Sequence, residues 1–376
     1  MNTRRLPLLR QSHIAAVLLG ICAVSACADD QPKPPAPPVA KPAEKPVAKP
    51  SVPATKPPSE SELRATITKG LGFLAKEGEA WMTTKDCNGC HHMPEMLWSH
   101  REAKLRGFDV DQEKFDEWLG WADEHSKDKK PGLEMMALMK LALPGRPAPE
   151  LTKIILADQK PDGSWKPAGQ FADMQKRGAP DAQGSATRLF LLALATPAEH
   201  AASDDAQAAR AEGATLFETA RTNAAAFLAK KDAPTSTESL VFRTLYARSL
   251  GKPEDADALR GEILKQQRGD GGWSSFIGEN MSDPLATGQV LYALHAEAAD
   301  PRTAEAIARA QLWLCKTQRE DGSWPIDITH ISKMDRSATA KAKSFKDATA
   351  IYTYFGSGWA TIGLLQSVPV KAESAK

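Results

Sequence analysis

Three copies of one string, Gln-x-x-Asp-Gly-x-Trp, constrain the fold of this chain more than any other feature: Gln159 to Trp165, Gln267 to Trp273 and Gln318 to Trp324. Trp165 and Trp273 stand 108 positions apart and Trp273 and Trp324 stand 51 apart, so the wider gap reads as two units, one with a degenerated motif. A unit of about fifty residues has the length of two helices and their connections. Such a unit buries little alone and has to stack on its neighbours.

A second string follows the motifs: Ala186-Thr187 before Leu189 to Leu194, Ala286-Thr287-Gly288 before Val290 to Leu294, and Ala360-Thr361 before Ile362 to Leu365. These segments are apolar nearly all round, as a fully buried helix would be. Residues 301 to 318 are amphipathic instead, with Ala304, Ala308, Leu312 and Cys315 expected on the buried face. Asp300-Pro301 and Asp283-Pro284 read as N-caps followed by proline at the first helical position. Outer helices are expected near 61–77, 111–125, 147–159, 206–230, 253–267 and 301–318, and inner ones near 94–106, 132–143, 185–196, 236–250, 284–298 and 357–367. Six outer and inner pairs predict one all-α (α/α)6 barrel, a toroid, over 60–370.

The three motifs resemble the QW repeats of the terpene cyclase and protein prenyltransferase α/α-toroid superfamily, with squalene and hopene cyclases nearest in pattern. The resemblance implies structural work for Gln159, Trp165, Gln267, Trp273, Gln318 and Trp324: glutamine closes an outer helix, glycine makes the turn, and tryptophan packs on the glutamine. It does not carry the cyclase chemistry. No Asp-x-Asp-Asp acid motif is present, the nearest string being Asp109-Val-Asp111-Gln112 at an expected helix start, and no Asp-Asp-x-x-Asp string could hold magnesium and diphosphate. The zinc set of the prenyltransferases has no counterpart around Cys315, which is expected as a buried, inert thiol.

Residues 87 to 92 read Cys-Asn-Gly-Cys-His-His. Cys87 and Cys90 have the spacing to add across the two vinyl groups of a haem, with His91 as proximal iron ligand. A thioredoxin-like dithiol would need a βαβ surround that is missing here. A zinc site on Cys87, Cys90 and His91 or His92 lacks a second ligand pair, and a plain disulfide is the remaining alternative. The expected cofactor is therefore covalent haem c, in an attachment loop at 78–92 that takes the place of a QW turn. All such joints lie at one end of the barrel, as do two expected insertions, 166–183 and 325–356. Met174 from the first, or His330 or Met334 from the second, are the candidates for the second axial ligand.

Arg4, Arg5 and Arg10 precede a short apolar run, Ile14 to Ala26, in the pattern of an export signal at 1–27. Val24-Ser25-Ala26-Cys27 resembles a lipobox, which implies lipidation of Cys27 and a membrane-anchored protein of the periplasm or outer surface. A Pro/Lys/Ala-rich stretch over 28–58 reads as an extended tether. The net charge of +1 gives no electrostatic case for nucleic acid. These readings together predict an electron-transfer protein of the c type with a redox partner protein. The alternatives are a haem-dependent enzyme with a small-molecule substrate, or a lipid- or isoprenoid-binding toroid without cyclase activity.

Overall fold

A computed structural model describes residues 56–85, 92–128, 132–144, 146, 149–167, 177–195, 204–230, 233–295, 300–327 and 339–371. Among these, twelve α-helices form: α1 (Glu60–Lys85), α2 (Met93–Leu105), α3 (Gln112–Asp128), α4 (Leu133–Ala142), α5 (Pro149–Ala157), α6 (Ala179–Ala195), α7 (Asp204–Leu228), α8 (Thr237–Ser249), α9 (Pro253–Lys265), α10 (Pro284–His295), α11 (Pro301–Thr317) and α12 (Thr339–Leu365). Extended pairing among the described residues is confined to two isolated bridges, Ser236 with Phe276 and Trp273 with Asp283.

Even-numbered helices form an inner ring in which each packs on the next, and α12 returns to α2. Odd-numbered helices lie outside. The fold is thus an all-α (α/α)6 toroid. Its inner members are buried nearly all round because their sequences carry few groups that need water. In α10, for instance, Leu285, Ala286, Thr287, Gly288, Val290, Leu291, Ala293 and Leu294 are all buried. Gly288 lets two inner backbones touch, since a Cβ there would lie 2.3 Å from the Trp359 carbonyl oxygen on α12.

The three repeated strings build three equivalent joints. In each, the glutamine Nε2 donates to the glycine carbonyl of its own turn and to a carbonyl on the next outer helix. Gln159 reaches Ala220 at 2.8 Å, Gln267 reaches Ala306 at 2.8 Å, and Gln318 reaches Thr66 at 2.9 Å. The last bond ties α11 to α1 and so fastens the end of the ring to its start. Three residues further along each of these outer helices, the backbone leaves no room for a side chain. A Cβ on Gly163, Gly271 or Gly322 would meet the oxygen of Asn223, Arg309 or Lys69 at 1.9, 2.6 or 2.1 Å. All three glycines also have positive φ, so the position demands glycine twice over.

The tryptophans complete the joint. Trp165, Trp273 and Trp324 are buried, and each indole N–H donates back to its own outer helix, at Ile155, Ile263 and Leu314. Their backbone N–H groups donate to hydroxyls of the following inner helix, Thr187, Thr287 and Ser357. The third partner corrects the sequence alignment of the repeats: Ser357, one helical turn before Thr361, stands where Thr187 and Thr287 stand.

Other boundaries moved as well. The first joint is shorter than the expected loop at 78–92, because α1 continues to Lys85. Helix resumes at Ala179 and Thr339, inside the two expected insertions. Pro180 falls in a first turn, where its missing N–H costs nothing, and the Ala/Lys-rich stretch after Thr339 favours helix. On α11 the buried residues are Thr303, Ala306, Ile307, Ala308, Ala310, Gln311 and Leu314, while Ala304 is exposed and Leu312 and Cys315 are half-buried. Ala308 is buried as expected, but the larger Ile307 and Leu314 take the core side, and the face turns accordingly from Ala304, Leu312 and Cys315.

Candidate active site

Each joint leads from an outer helix into an inner one, so the N-termini of the inner helices share one mouth of the ring. A pocket opens there, lined by Glu134, Arg177, Glu238 and Gln289 among Phe242, Phe355, Trp359 and aliphatic side chains. About 40 Å³ of it is open to a water-sized molecule, room for one or two waters.

Its polar wall is built from first turns. Glu134, Asp181 and Glu238 lie in the first turns of α4, α6 and α8, where unpaired backbone N–H groups and the helix dipole favour negative charge. Arg177, just ahead of α6, organises them. Its Nε and Nη2 donate to Asp181 Oδ1 at 3.1 and 2.9 Å, Nη2 also reaches Ser185 Oγ at 2.6 Å, and Nη1 pairs with Glu238 Oε1. Burial works against the Arg177 charge, but the two carboxylates outweigh it and raise its pKa.

Asp181 is saturated. Besides Arg177 it accepts from the Ser236 hydroxyl at 2.7 Å and from the backbone N–H of Thr235 at 2.7 Å. Burial alone would push its carboxyl up; the Arg177 charge and these bonds overcome that and pull it below the usual range. Glu238 is differently placed. Its side chain is 25% exposed, and Oε2 accepts only a longer bond, 3.3 Å, from Gln289. Asp181 therefore positions Arg177, Arg177 positions Glu238, and Glu238 faces the pocket together with Glu134 on the far side of α6.

Cys27, Cys87, Cys90, His91, Met174, His330 and Met334 lie outside the described residues. Gln159, Gln267, Gln318 and the three motif tryptophans are joint residues, remote in role from the pocket. Cys315 is half-buried and accepts a hydrogen bond from Thr66 Oγ1 at 3.5 Å, and burial raises its pKa. Among the described residues no group of three or more His, Cys, Asp or Glu is placed to hold a metal ion. Sequence reading missed Arg177, Glu134, Asp181 and Glu238. The signal for the acids was their recurrence in the first turns of successive inner helices, which by itself looks like ordinary helix capping.

No protein-family model and no curated protein matches the chain. Solved structures do match its fold. One is a possible member of the GH105 family from Salmonella enterica serovar Paratyphi A, 11% identical, with a TM-score of 0.50 over 84% of this chain and 97% of that one. Another is an unsaturated glucuronyl hydrolase of Bacillus sp. GL1, responsible for glycosaminoglycan degradation, 14% identical, with a TM-score of 0.50 over 81% of this chain and 96% of that one. A type II terpene cyclase from Scytonema aligns at 13% identity and a TM-score of 0.45, over 83% and 98% of the two chains. The chain has an α/α-toroid fold.

The expected electron-transfer haem protein, and its alternatives of a haem-dependent enzyme or a lipid- or isoprenoid-binding toroid, are corrected here. The likeness runs to toroids of the GH105 and glucuronyl hydrolase kind over nearly their whole length. In this chain the corresponding interior carries carboxylates and a guanidinium at its mouth.

Proposed function

We propose that the chain is a toroid hydrolase of the glycosidase type, with Glu134 and Glu238 as its working carboxyl pair. Hydrolysis at a sugar's anomeric centre needs one carboxyl to protonate the leaving oxygen and a second to activate water or attack directly. The observation that carries the reading is the Asp181–Arg177–Glu238 chain, which holds one carboxylate in a fixed direction at the pocket that Glu134 also lines. Glu238 takes the role of base or nucleophile and Glu134 that of acid. The likeness in fold to an unsaturated glucuronyl hydrolase supports an acidic sugar as substrate.

The test is a panel of p-nitrophenyl glycosides and glucuronides together with unsaturated uronyl disaccharides. Turnover of at least one is expected, and Glu238→Gln and Glu134→Gln should each lower kcat/KM by roughly a hundredfold or more. Turnover that survives both substitutions, or no turnover across the panel, overturns the proposal.

Covalent haem c on Cys87 and Cys90, with His91 on the iron, is kept as a separate proposal about attachment and not about electron carriage. The string falls between α1 and α2 in sequence, and its last residue is described: the His92 ring lies 4.3 Å from Trp81 and 3.8 Å from Tyr354. Export with lipidation at Cys27 is likewise a proposal. No described helix is long and apolar enough to cross a membrane. A pyridine haemochrome spectrum of protein from haem-maturing cells, and mass analysis of the mature N-terminus, test the two.

A further inference from the structure

The ring has a second interior cavity at its opposite end, near the C-termini of the inner helices. It measures about 370 Å³, within the range of small-molecule sites. Phe242 and Trp359 line both cavities and separate them.

One wall is aromatic. Trp98, Tyr292 and Trp359 meet edge to face, with centroids 5.4 to 6.0 Å apart, an arrangement that fixes the rings without any outside partner. The other wall is polar and is set by a relay from the outer ring. Gln311 Nε2, which can only donate, gives its proton to Ser367 Oγ at 2.8 Å. Ser367 Oγ in turn lies 2.9 Å from His295 Nε2 and is hydrogen-bonded to it, which holds the imidazole in place. Burial, and then the charge of Arg106, lower the His295 pKa to about 4, in keeping with a neutral ring. Arg248 adds a guanidinium to the same wall.

We propose that this cavity is a ligand site separate from the hydrolytic mouth, and that it takes a small aromatic anion, its rings against Trp98 and Tyr292 and its acidic group toward His295 and Arg248. A helix C-terminus by itself repels anions; two donors brought to three apolar rings are what make this end suitable for one.

The probes are 1-anilinonaphthalene-8-sulfonate and N-phenyl-1-naphthylamine, which share their rings and differ in the sulfonate. With the full-length protein, the sulfonate should bind one to one and roughly tenfold more tightly than the neutral amine. Leu245→Trp, which fills the cavity, should abolish binding of both. Leu141→Phe is the milder filling variant should Leu245→Trp fail to fold. His295→Phe should erase the preference for the sulfonate while leaving the amine bound. Glu238→Gln, at the opposite mouth, should leave both affinities unchanged. Binding that resists both filling variants, a stoichiometry above one, equal affinities for the two probes, or a loss in Glu238→Gln overturns the proposal.

Discussion

The two ends of the ring are made by the same six inner helices, yet they carry opposite chemistry. At the N-terminal mouth the first turns of α4, α6 and α8 supply Glu134, Asp181 and Glu238; at the far end the last turns of α8 and α10 supply Arg248 and His295. Backbone electrostatics favours this division, because N–H groups left over at a helix start attract acids and carbonyls left over at its end attract bases. A ring of parallel inner helices adds these preferences together: acids collect at one mouth, while the other carries the Arg248 guanidinium and the neutral imidazole of His295.

Removing the charge that orders the acidic mouth should have the largest effect. Arg177 is 3% exposed and compensates an Asp181 side chain that is 2% exposed, so Arg177→Met leaves a buried carboxylate without its cation. A loss of about 3–5 kcal/mol in unfolding free energy is expected by chemical denaturation. The naphthalene sulfonate should still bind at the far end at temperatures where the variant remains folded. If stability is unchanged, the ion pair does not organise the mouth; if probe binding is lost as well, the two ends are not separate.

The toroid was legible in the sequence because its signals are repeated and local. Gln159, Gln267 and Gln318 make the same bonds at three places, and each glycine at the turn is required by the neighbouring helix. The mouth was not legible, since Glu238 stands 61 positions from Arg177 and only folding brings it to the Arg177–Asp181 pair. A lone acid in a first turn is ordinary capping until a cation from elsewhere meets it. The conspicuous Cys87-Asn-Gly-Cys90-His91 string drew the functional reading to a single joint, while the ring interior is assembled from all six pairs.

Glu95 offers a sharper contrast within the acidic end. It too occupies a first turn, that of α2, but it is buried, and among the described residues its Oε2 has no hydrogen-bond partner. Burial raises its pKa to about 8. The unfolded carboxyl titrates near 4.5, so between these values the folded state keeps a proton that the unfolded state has released. Stability should therefore fall as pH rises from about 4.5 to 8, by up to ~1.4 kcal/mol per pH unit from this group. Glu95→Gln should remove that slope and leave the variant the more stable protein at pH 9, as urea titrations across the range would show. A wild-type profile that is flat, or that rises over this interval, contradicts the assignment of Glu95 as a buried neutral acid.

The smallest expected effect separates capping from site building. Ser236 is the N-cap of α8: its Oγ accepts from the Ser239 N–H at 3.2 Å and donates to Asp181 Oδ1 at 2.7 Å. Capping alone makes Ser236→Ala worth about 1 kcal/mol. If the hydroxyl also helps to hold Asp181, the substitution should cost less once Asp181 is Asn, whose side chain no longer demands the same donors. A double-mutant cycle with Asp181→Asn reads that difference directly, with a coupling of about 0.5 kcal/mol or more expected for groups in contact. Strict additivity would mean that Ser236 only caps its helix and that Asp181 is held by Arg177 and the Thr235 and Ser236 backbone. The α8 start would then reach Asp181 through its backbone N–H groups and not through the Ser236 hydroxyl.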